Sequence, residues 1–212
     1  MRTVVVSTHL DDAVLSCWSV IDGSDDVTVV TVFTGGPDPG TLTKWDKHAG
    51  ARDSATRMVE RRAEDRAALA VAGREPVHLG LLESQYVVGD PDVPWSALEP
   101  HLGDADVVYA PAAIAIGRPP HHDHCIVQTA VLAGRPDARL YADQPYCWFR
   151  PDAHPGDLLG RARELVELDE PVRVRKAEAI RRYAGELPIL ESPELFGPFA
   201  TPDRLAFELF WR

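Results

Sequence analysis

The chain of 212 residues lacks the sequence signatures of three common functional classes. No Gly-x-Gly-x-x-Gly segment follows the first predicted strand, and the sequence contains no Walker-type phosphate-binding loop. It also contains no Gly-x-Ser-x-Gly elbow. These absences argue against a dinucleotide-binding protein, a P-loop nucleotide-binding protein and a serine hydrolase of the α/β-hydrolase type.

Cysteine is scarce, with 3 residues in the whole chain. An odd number without paired spacing argues against a disulfide framework. Cys17 falls in a predicted helix, where a small buried apolar side chain is expected. Cys125 directly follows His124, which makes it an alternative metal ligand.

Basic residues are also scarce: the chain contains 22 Lys and Arg residues and 33 Asp and Glu residues, which gives a net charge of −11. This balance argues against nucleic acid and against anionic membrane surfaces as partners. No apolar run approaches the length that spans a bilayer, and no signal segment precedes the first strand. We therefore expect a cytoplasmic protein, and the length suits a single domain over residues 1–212.

Strand-like and helix-like segments alternate along most of the chain, which predicts an α/β fold with a Rossmann-like, mainly parallel sheet and helices on both faces. Predicted strands cover residues 2–7, 26–33, 76–79, 106–110, 139–142 and, as a final edge strand, 205–211. Predicted helices cover residues 13–21, 52–73, 122–133 and 172–183. Residues 34–50 and 82–102 are predicted as loops, the latter with one helical turn at 95–98.

The most informative segment, Ser7-Thr8-His9-Leu10-Asp11-Asp12-Ala13, lies where the first strand passes into the first helix. Open α/β sheets place their ligand sites at such carboxyl ends of strands. One imidazole and two carboxylates packed together repel and desolvate one another unless a cation or substrate lies between them. His9 and Asp12, three residues apart at a helix start, can face one point.

A second cluster, Pro119-Pro120-His121-His122-Asp123-His124, has the same strand, turn and helix layout. Catalytic zinc sites usually take three protein ligands and leave a fourth position for water. A histidine from this loop would complete a His-Asp-His set with His9 and Asp12. The alternatives are a solvated histidine and carboxylates that only favour a helix start.

At these residues the chain resembles the LmbE-like, or PIG-L, family of zinc-dependent N-acetylglucosaminyl deacetylases. Thr8 to Ala13 matches the family's Ala/Ser-His-Pro-Asp-Asp-Glu/Ala motif with Leu10 in place of proline, and His121 to His124 matches His-Pro/Val-Asp-His. Weaker matches are Arg61 with Glu64 in the long helix, Leu79-Gly80 with Glu83 after it, and Asp143 to Tyr146, which is similar to a Glu-Asp-x-Pro-Tyr run of one branch.

The resemblance implies a three-layer sandwich and a role for each matched residue. His9, Asp12 and His124 would hold Zn²⁺, or another divalent ion such as Fe²⁺, since such a donor set accepts several. Asp11 would take the proton of the attacking water as general base. His121, protonated and oriented by Asp123, would stabilise the charge that develops on the substrate oxygen, and His122 receives no role.

Two further residues would contact substrate: Arg61 would grip substrate hydroxyls and Glu83 would make a second contact. Glu83 stands where the family has aspartate, and Pro119 stands where members with a known substrate can carry an oxyanion-donating tyrosine. Aromatic residues predicted in loops near this face suit either a sugar ring or a buried lid; they are Trp45, Trp95, Tyr146 and Trp148.

The implied activity is hydrolysis of a linear amide bond, with removal of an acetyl or other acyl group from an N-acyl amino sugar. The small-molecule partner would be that sugar or a glycoconjugate. An amidase of an amide-linked conjugate and a non-catalytic sugar-binding relative are the alternatives.

Overall fold

The computed structural model describes residues 1–115, 119–147 and 157–212, and the strands and helices below lie within these ranges. The strands are β1 (Thr3–Ser7), β2 (Val27–Phe33), β3 (Val77–Leu81), β4 (Val107–Pro111), β5 (Arg139–Tyr141), β6 (Asp157–Leu158), β7 (Arg161–Glu167) and β8 (Phe207–Trp211). The α-helices are α1 (Asp12–Ser16), α2 (Trp18–Gly23), α3 (Lys44–His48), α4 (Ser54–Leu69), α5 (Trp95–Leu102), α6 (His122–Gly134), α7 (Glu170–Ile180) and α8 (Leu187–Leu190).

The strands form one sheet in the order β3-β2-β1-β4-β5-β8-β7-β6. β3, β2, β1, β4 and β5 run parallel, and β8, β7 and β6 extend the sheet with antiparallel pairings. The strand order reverses between β1 and β4, and the crevice beyond the carboxyl ends of such a pair is where open α/β sheets bind ligands. Both histidine-containing turns follow these two strands.

Hydrophobic cores lie on both faces of the sheet, as the consecutive valines of β1 require. Val5 faces the side covered by α1, α2 and α7, whereas Val4 and Val6 face the side covered by α5 and α6. Successive side chains of a strand point to opposite faces, so an uninterrupted apolar strand must be covered twice. The predicted mainly parallel sheet with helices on both faces is confirmed.

The helix predicted over residues 52–73 is α4, which spans Ser54–Leu69. The Asp53 side chain accepts a hydrogen bond from the Thr56 amide at the start, and a 3₁₀ turn over Ala70–Ala72 follows the last α-helical residue. Gly73 adopts a left-handed conformation with φ of 68°, which glycine tolerates without a steric cost.

The structure differs from the sequence prediction at several elements. The helix expected over residues 13–21 breaks at Cys17 into α1 and α2, because Cys17 leaves helical geometry with φ of −129°. α5 is a full helix of 8 residues rather than a single turn.

The C-terminal strand β8 lies between β5 and β7, so the expectation of an edge strand was wrong. Phe210 and Trp211 are both fully buried, each in one of the two cores on opposite faces of the sheet. β7 pairs with the edge of β8 that would otherwise be open. Within the described part of the chain, no helix combines the length and apolar character needed to cross a bilayer.

Candidate active site

The first turn is held in shape by its own hydrogen bonds. The Ser7 hydroxyl donates to the His9 carbonyl oxygen at 2.6 Å and accepts from the Ala13 amide at 2.9 Å. Asp12, the first residue of α1, accepts the His9 amide through Oδ2 at 2.7 Å. These bonds turn the His9 ring and the Asp12 carboxylate toward each other, with 3.2 Å between Nδ1 and Oδ2.

The second turn brings its histidines to the same point. His124 lies in the first turn of α6, and its Nε2 is 3.3 Å from Asp12 Oδ2. The His9 ring centroid lies 5.3 Å from that of His124 and 5.1 Å from that of His121. Two segments more than 100 residues apart in the sequence therefore converge, as the predicted His-Asp-His set requires.

His9, Asp12 and His124 form a donor set that fits a divalent metal ion. One donor atom from each of these buried residues lies within 4.8 Å of the others. His124 Nε2 is buried and finds no hydrogen-bond partner in the described structure, although a buried polar atom is normally paired. A cation at this point would satisfy it.

A second donor group, His9, His121 and Asp123, shares the His9 ring. Here Asp123 Oδ2 already contacts His9 Nε2 at 3.1 Å. A metal-bound imidazole normally passes its other N–H to a carboxylate in this way. The contact therefore suits Asp123 as a partner of the ligand His9, and the set with Asp12 and His124 is the better metal site.

The electrostatics of the cluster agree with this interpretation. Burial lowers the pKa of His9, but hydrogen bonds to Asp12 and Asp123 outweigh it and raise that pKa to about 9. Burial likewise opposes the charge on His124, yet Asp12 and Asp143 hold its pKa well above the usual value. The negative charge that raises both pKa values is charge that a divalent ion at this point would offset.

Asp11 belongs to neither donor group among the described residues, although it lines the same cleft. Its removal from water and the negative charge of Asp12 raise the pKa of its carboxyl group to about 7, against the opposing charge of Arg61. A carboxylate with a pKa near neutrality can both take and return a proton at physiological pH.

Asp123 has a different hydrogen-bond partner from the expected one. Its Oδ2 contacts the His9 ring and accepts the Ser84 amide at 3.3 Å, whereas His121 Nδ1 is buried without a hydrogen-bond partner among the residues that are described. Burial and the charges on His9 and His124 lower the pKa of His121 to about 4. His121 is therefore neutral at pH 7, chiefly because it is buried, and the charge of Asp123, which contacts His9 instead, does not offset this effect.

Arg61 reaches the cleft from α4 within a network of carboxylates. Its Nη1 donates to Glu83 Oε1 at 3.3 Å, and its Nε lies 3.4 Å from Glu186 Oε1. The structure thus brings the two expected substrate-binding residues together. Nε is buried and makes the ion pair with Glu186 without a hydrogen bond to any described residue.

The sequence of the chain matches a known protein family. Residues 4–134 match a family model described as PIG-L, GlcNAc-PI de-N-acetylase. The chain belongs to the PIG-L family. This confirms the predicted membership and makes the chain an N-deacetylase, a hydrolase of amide bonds.

Solved structures extend the likeness beyond the segment that matches the PIG-L family. The zinc-inhibited form of teicoplanin deacetylase Orf2 has a TM-score of 0.79 at 22% identity, over 100% of this chain and 97% of that one. The A40926 pseudoaglycone deacetylase Dbv21 has a TM-score of 0.77 at 28% identity, over 99% of this chain and 96% of that one. GalB, the 4-carboxy-2-hydroxymuconate hydratase of Pseudomonas putida KT2440, has a TM-score of 0.58 at 12% identity, over 100% of this chain and 95% of that one. No curated protein sequence matches the chain.

The cleft of this PIG-L protein has a volume of about 480 Å³ and combines a charged floor with an apolar wall. The floor carries the donor set, Asp11 and Arg61. The wall comes mainly from the first helix, the segment after β5 and the segment around α8: Leu15, Pro145, Tyr146, Leu190, Leu195 and Phe196.

The aromatic residues named from the sequence separate into different positions. Trp45 lines the cleft and donates its Nε1 to Glu186 Oε2 at 3.1 Å, and the Tyr146 ring centroid lies 5.7 Å from that of His124. Trp95 instead packs against Gly134 in the core, and Trp148 lies outside the described residues. Trp45 and Tyr146 therefore remain as candidate substrate contacts.

Two residues near the second turn lie apart from the cluster. His122 is exposed and pairs with Asp90 at 2.8 Å. Cys125 is half-buried and belongs to neither donor group among the described residues, so the structure gives no support to it as a ligand.

Glu186, at the start of α8, is a further residue of the site that the sequence does not predict. Its carboxylate contacts Arg57, Arg61 and Trp45. It lies outside the matched segment 4–134 and belongs to no motif. A single glutamate between two short helices carries no periodic signal, so only the fold reveals that it is buried beside the cleft.

Proposed function

We propose that the protein removes an acetyl group from the amine of an N-acetylated amino sugar carried on a larger glycoconjugate. Family membership supports the reaction, and the likeness to teicoplanin and A40926 pseudoaglycone deacetylases supports the substrate class. The single observation that carries the proposal is the position of Asp11. It faces the same cleft as the donor set but does not belong to it.

His9, Asp12 and His124 would hold the cation, with Zn²⁺ favoured by the His-Asp-His donors and Fe²⁺ as an alternative. When bound, such an ion supplies Lewis acidity, which polarises an amide carbonyl and acidifies water. Asp12 matches this role because burial opposes its charge, yet His124 and His9 hold its pKa well below the usual value.

Asp11 acts as the base. It accepts a proton from the attacking water while the water oxygen bonds to the amide carbon. When the carbon–nitrogen bond breaks, the same carboxyl group returns the proton to the departing nitrogen. Acetate and a free amine are the products, and Asp11 ends in its starting state.

His121 donates a hydrogen bond to the oxygen on which negative charge develops. It does so as a neutral imidazole, since its pKa is lowered to about 4 and a bound cation would lower it further. Pro119, which lines the cleft where a tyrosine donor could stand, has no O–H or N–H to offer. One such donor is worth roughly 3 kcal/mol in other hydrolases.

Arg61 and Glu83 would bind the sugar hydroxyl groups. Glu83 and Glu186 hold the guanidinium group from two sides, which leaves it little freedom to move. Preorganisation of this kind lowers the entropy lost on binding.

The test is acetate release by purified protein of known metal content. The substrates are free N-acetylglucosamine and an N-acetylglucosaminyl glycopeptide pseudoaglycone, and the Asp11→Asn variant is the control for background hydrolysis. We expect the pseudoaglycone to release acetate faster than the free sugar. Metal-loaded protein that releases no acetate from either substrate would contradict the proposal.

The apolar wall favours one alternative, hydrolysis of an amide with a larger acyl group. Leu190, Leu195 and Phe196 offer more apolar surface than an acetyl methyl group can cover. A series of N-acyl glucosamines with increasing chain length separates the two functions. A kcat/KM that rises with chain length would identify the larger acyl group as the substrate.

A further inference from the structure

The two ring nitrogens of His124 have sharply different surroundings. Nδ1 lies 2.7 Å from Asp143 Oδ1, whereas Nε2 is buried without a hydrogen-bond partner in the described structure and faces Asp12 at 3.3 Å. The side chains of His124 and Asp143 are 2% and 1% exposed, so no bulk water competes for either nitrogen.

Asp143 is itself fixed by the backbone around it. It follows the end of β5 by two residues, and its second oxygen, Oδ2, accepts the Ile114 amide at 3.1 Å from the segment after β4. The next residue is also anchored, because the Gln144 amide donates to the Ser16 hydroxyl at 3.1 Å. The carboxylate therefore holds its place between two loops that border the metal donor set.

We propose that Asp143 is a positioning residue for the metal centre. It accepts the Nδ1 proton of His124 and so fixes the tautomer in which Nε2 carries the lone pair that faces the ion. Carboxylates that orient a metal-bound imidazole in this way raise its basicity, and their loss typically costs 10- to 100-fold in metal affinity. The inference rests on the proposed metal site and adds a residue that lies outside the donor set.

The geometry of Asp143 makes asparagine the informative substitution. A carboxylate can accept hydrogen bonds through both oxygens, whereas a carboxamide accepts through only one. In Asp143→Asn, either His124 Nδ1–H or the Ile114 amide would face an NH₂ group. We expect the variant to bind Zn²⁺ about 10- to 100-fold more weakly, measured by competition with a chromogenic chelator on apoprotein.

Asp65→Asn is the matched control. Asp65 is another buried aspartate paired to a histidine, with Oδ2 2.8 Å from His78 Nε2 and Oδ1 accepting the Tyr183 hydroxyl at 2.9 Å. It contributes no donor atom to the described metal sets. We expect Asp65→Asn to lose thermal stability while its Zn²⁺ affinity stays within twofold of the native value. An equal loss of affinity in both variants would overturn the inference, because it would indicate general loosening.

A measurement on the native protein covers the case in which Asp143→Asn does not fold. Two-bond ¹⁵N–¹H spectra of the Zn²⁺-loaded protein report which histidine nitrogen carries the proton, and a His124→Gln sample assigns the signal. We expect the Nδ1–H tautomer for His124. The Nε2–H tautomer, or native affinity in folded Asp143→Asn, would refute the role of Asp143, whereas native protein that binds no metal would refute the proposed function.

Discussion

Replacement of Asp11 by asparagine separates chemistry from metal binding. The carboxamide has nearly the same size and shape as the carboxylate, but it cannot take a proton from water. Asp11 lies outside the donor set, so the cation should stay in place. We therefore expect turnover to collapse in a protein that still holds one metal ion per chain.

The expected magnitude follows from the role and from the pKa of the group. A positioned general base contributes about 10²- to 10⁴-fold to a rate. Burial and the charge of Asp12 raise the pKa of Asp11 to about 7, and a cation beside Asp12 would lower it. Because the same carboxyl group both takes the proton and returns it, we expect the effect in the upper part of that range. A loss of ~10³- to 10⁴-fold corresponds to about 4 to 5 kcal/mol of activation free energy.

The assay measures kcat and KM by acetate release and metal content by mass spectrometry on the same samples. Asp12→Asn is the comparison, since it alters the neighbouring carboxylate that does belong to the donor set. It should lose both metal and activity, whereas Asp11→Asn should lose activity alone. Native kcat in Asp11→Asn, or loss of the metal from it, would refute the reasoning.

Three further predictions concern residues around the cleft and in the core. Arg61→Lys should raise KM for the glycoconjugate about tenfold with a smaller change in kcat, because a lysine cannot reproduce the planar guanidinium contacts; an unchanged KM in steady-state kinetics would contradict it. Arg61 and Arg57 lower the pKa of Glu186, although burial opposes this effect. The ionised Glu186 carboxylate therefore stabilises the fold at any pH above its pKa in the unfolded state, and this stabilisation is lost as the pH falls through its pKa in the folded state. In urea unfolding across pH 3–7, the free energy of unfolding should therefore fall less toward acid pH for Glu186→Gln than for the native protein. An equal dependence of the free energy of unfolding on pH in the two proteins would contradict the prediction. Lys176→Met should destabilise the protein by about 3 to 5 kcal/mol in urea unfolding, since it leaves fully buried Glu208 without the cation now 2.6 Å away; a loss below 1 kcal/mol would contradict it.

The convergence of His9, Asp12 and His124 could be predicted from sequence because both turns carry local signals. Each polar turn follows an apolar strand and precedes a helix, and the spacing of His9 and Asp12 already places both side chains at one helix start. Parallel strands then bring the ends of β1 and β4 to one edge of the sheet. The sequence does not show that β1 and β4 are adjacent strands, and this information comes only from the fold.

The carboxylates around the donor set could be predicted less well. Asp123 lies in a motif that suggests His121 as its partner, but the turn geometry brings its carboxylate to His9 Nε2 instead. Asp143 follows β5 and Glu186 precedes α8, and each depends on contacts across the fold rather than on spacing along the chain. Pairings of this kind have no sequence periodicity.

The antiparallel end of the sheet was also hidden from sequence patterns. β7 consists largely of charged residues and is mostly exposed, so it lacks the apolar alternation that marks a strand. Without β7, the tail over residues 205–211 could only be predicted as an edge strand. β8 pairs with both neighbours, and its residues from Glu208 to Trp211 are buried.

The most direct test of the account is a Zn²⁺ titration of the native and His124→Ala apoproteins, measured by isothermal titration calorimetry. We predict one tight site per chain in the native protein and its loss in the variant, because the Nε2 lone pair disappears while the fold of the sheet remains. Equal stoichiometry and affinity in the two proteins, or no tight site in the native one, would contradict the assignment of His9, Asp12 and His124.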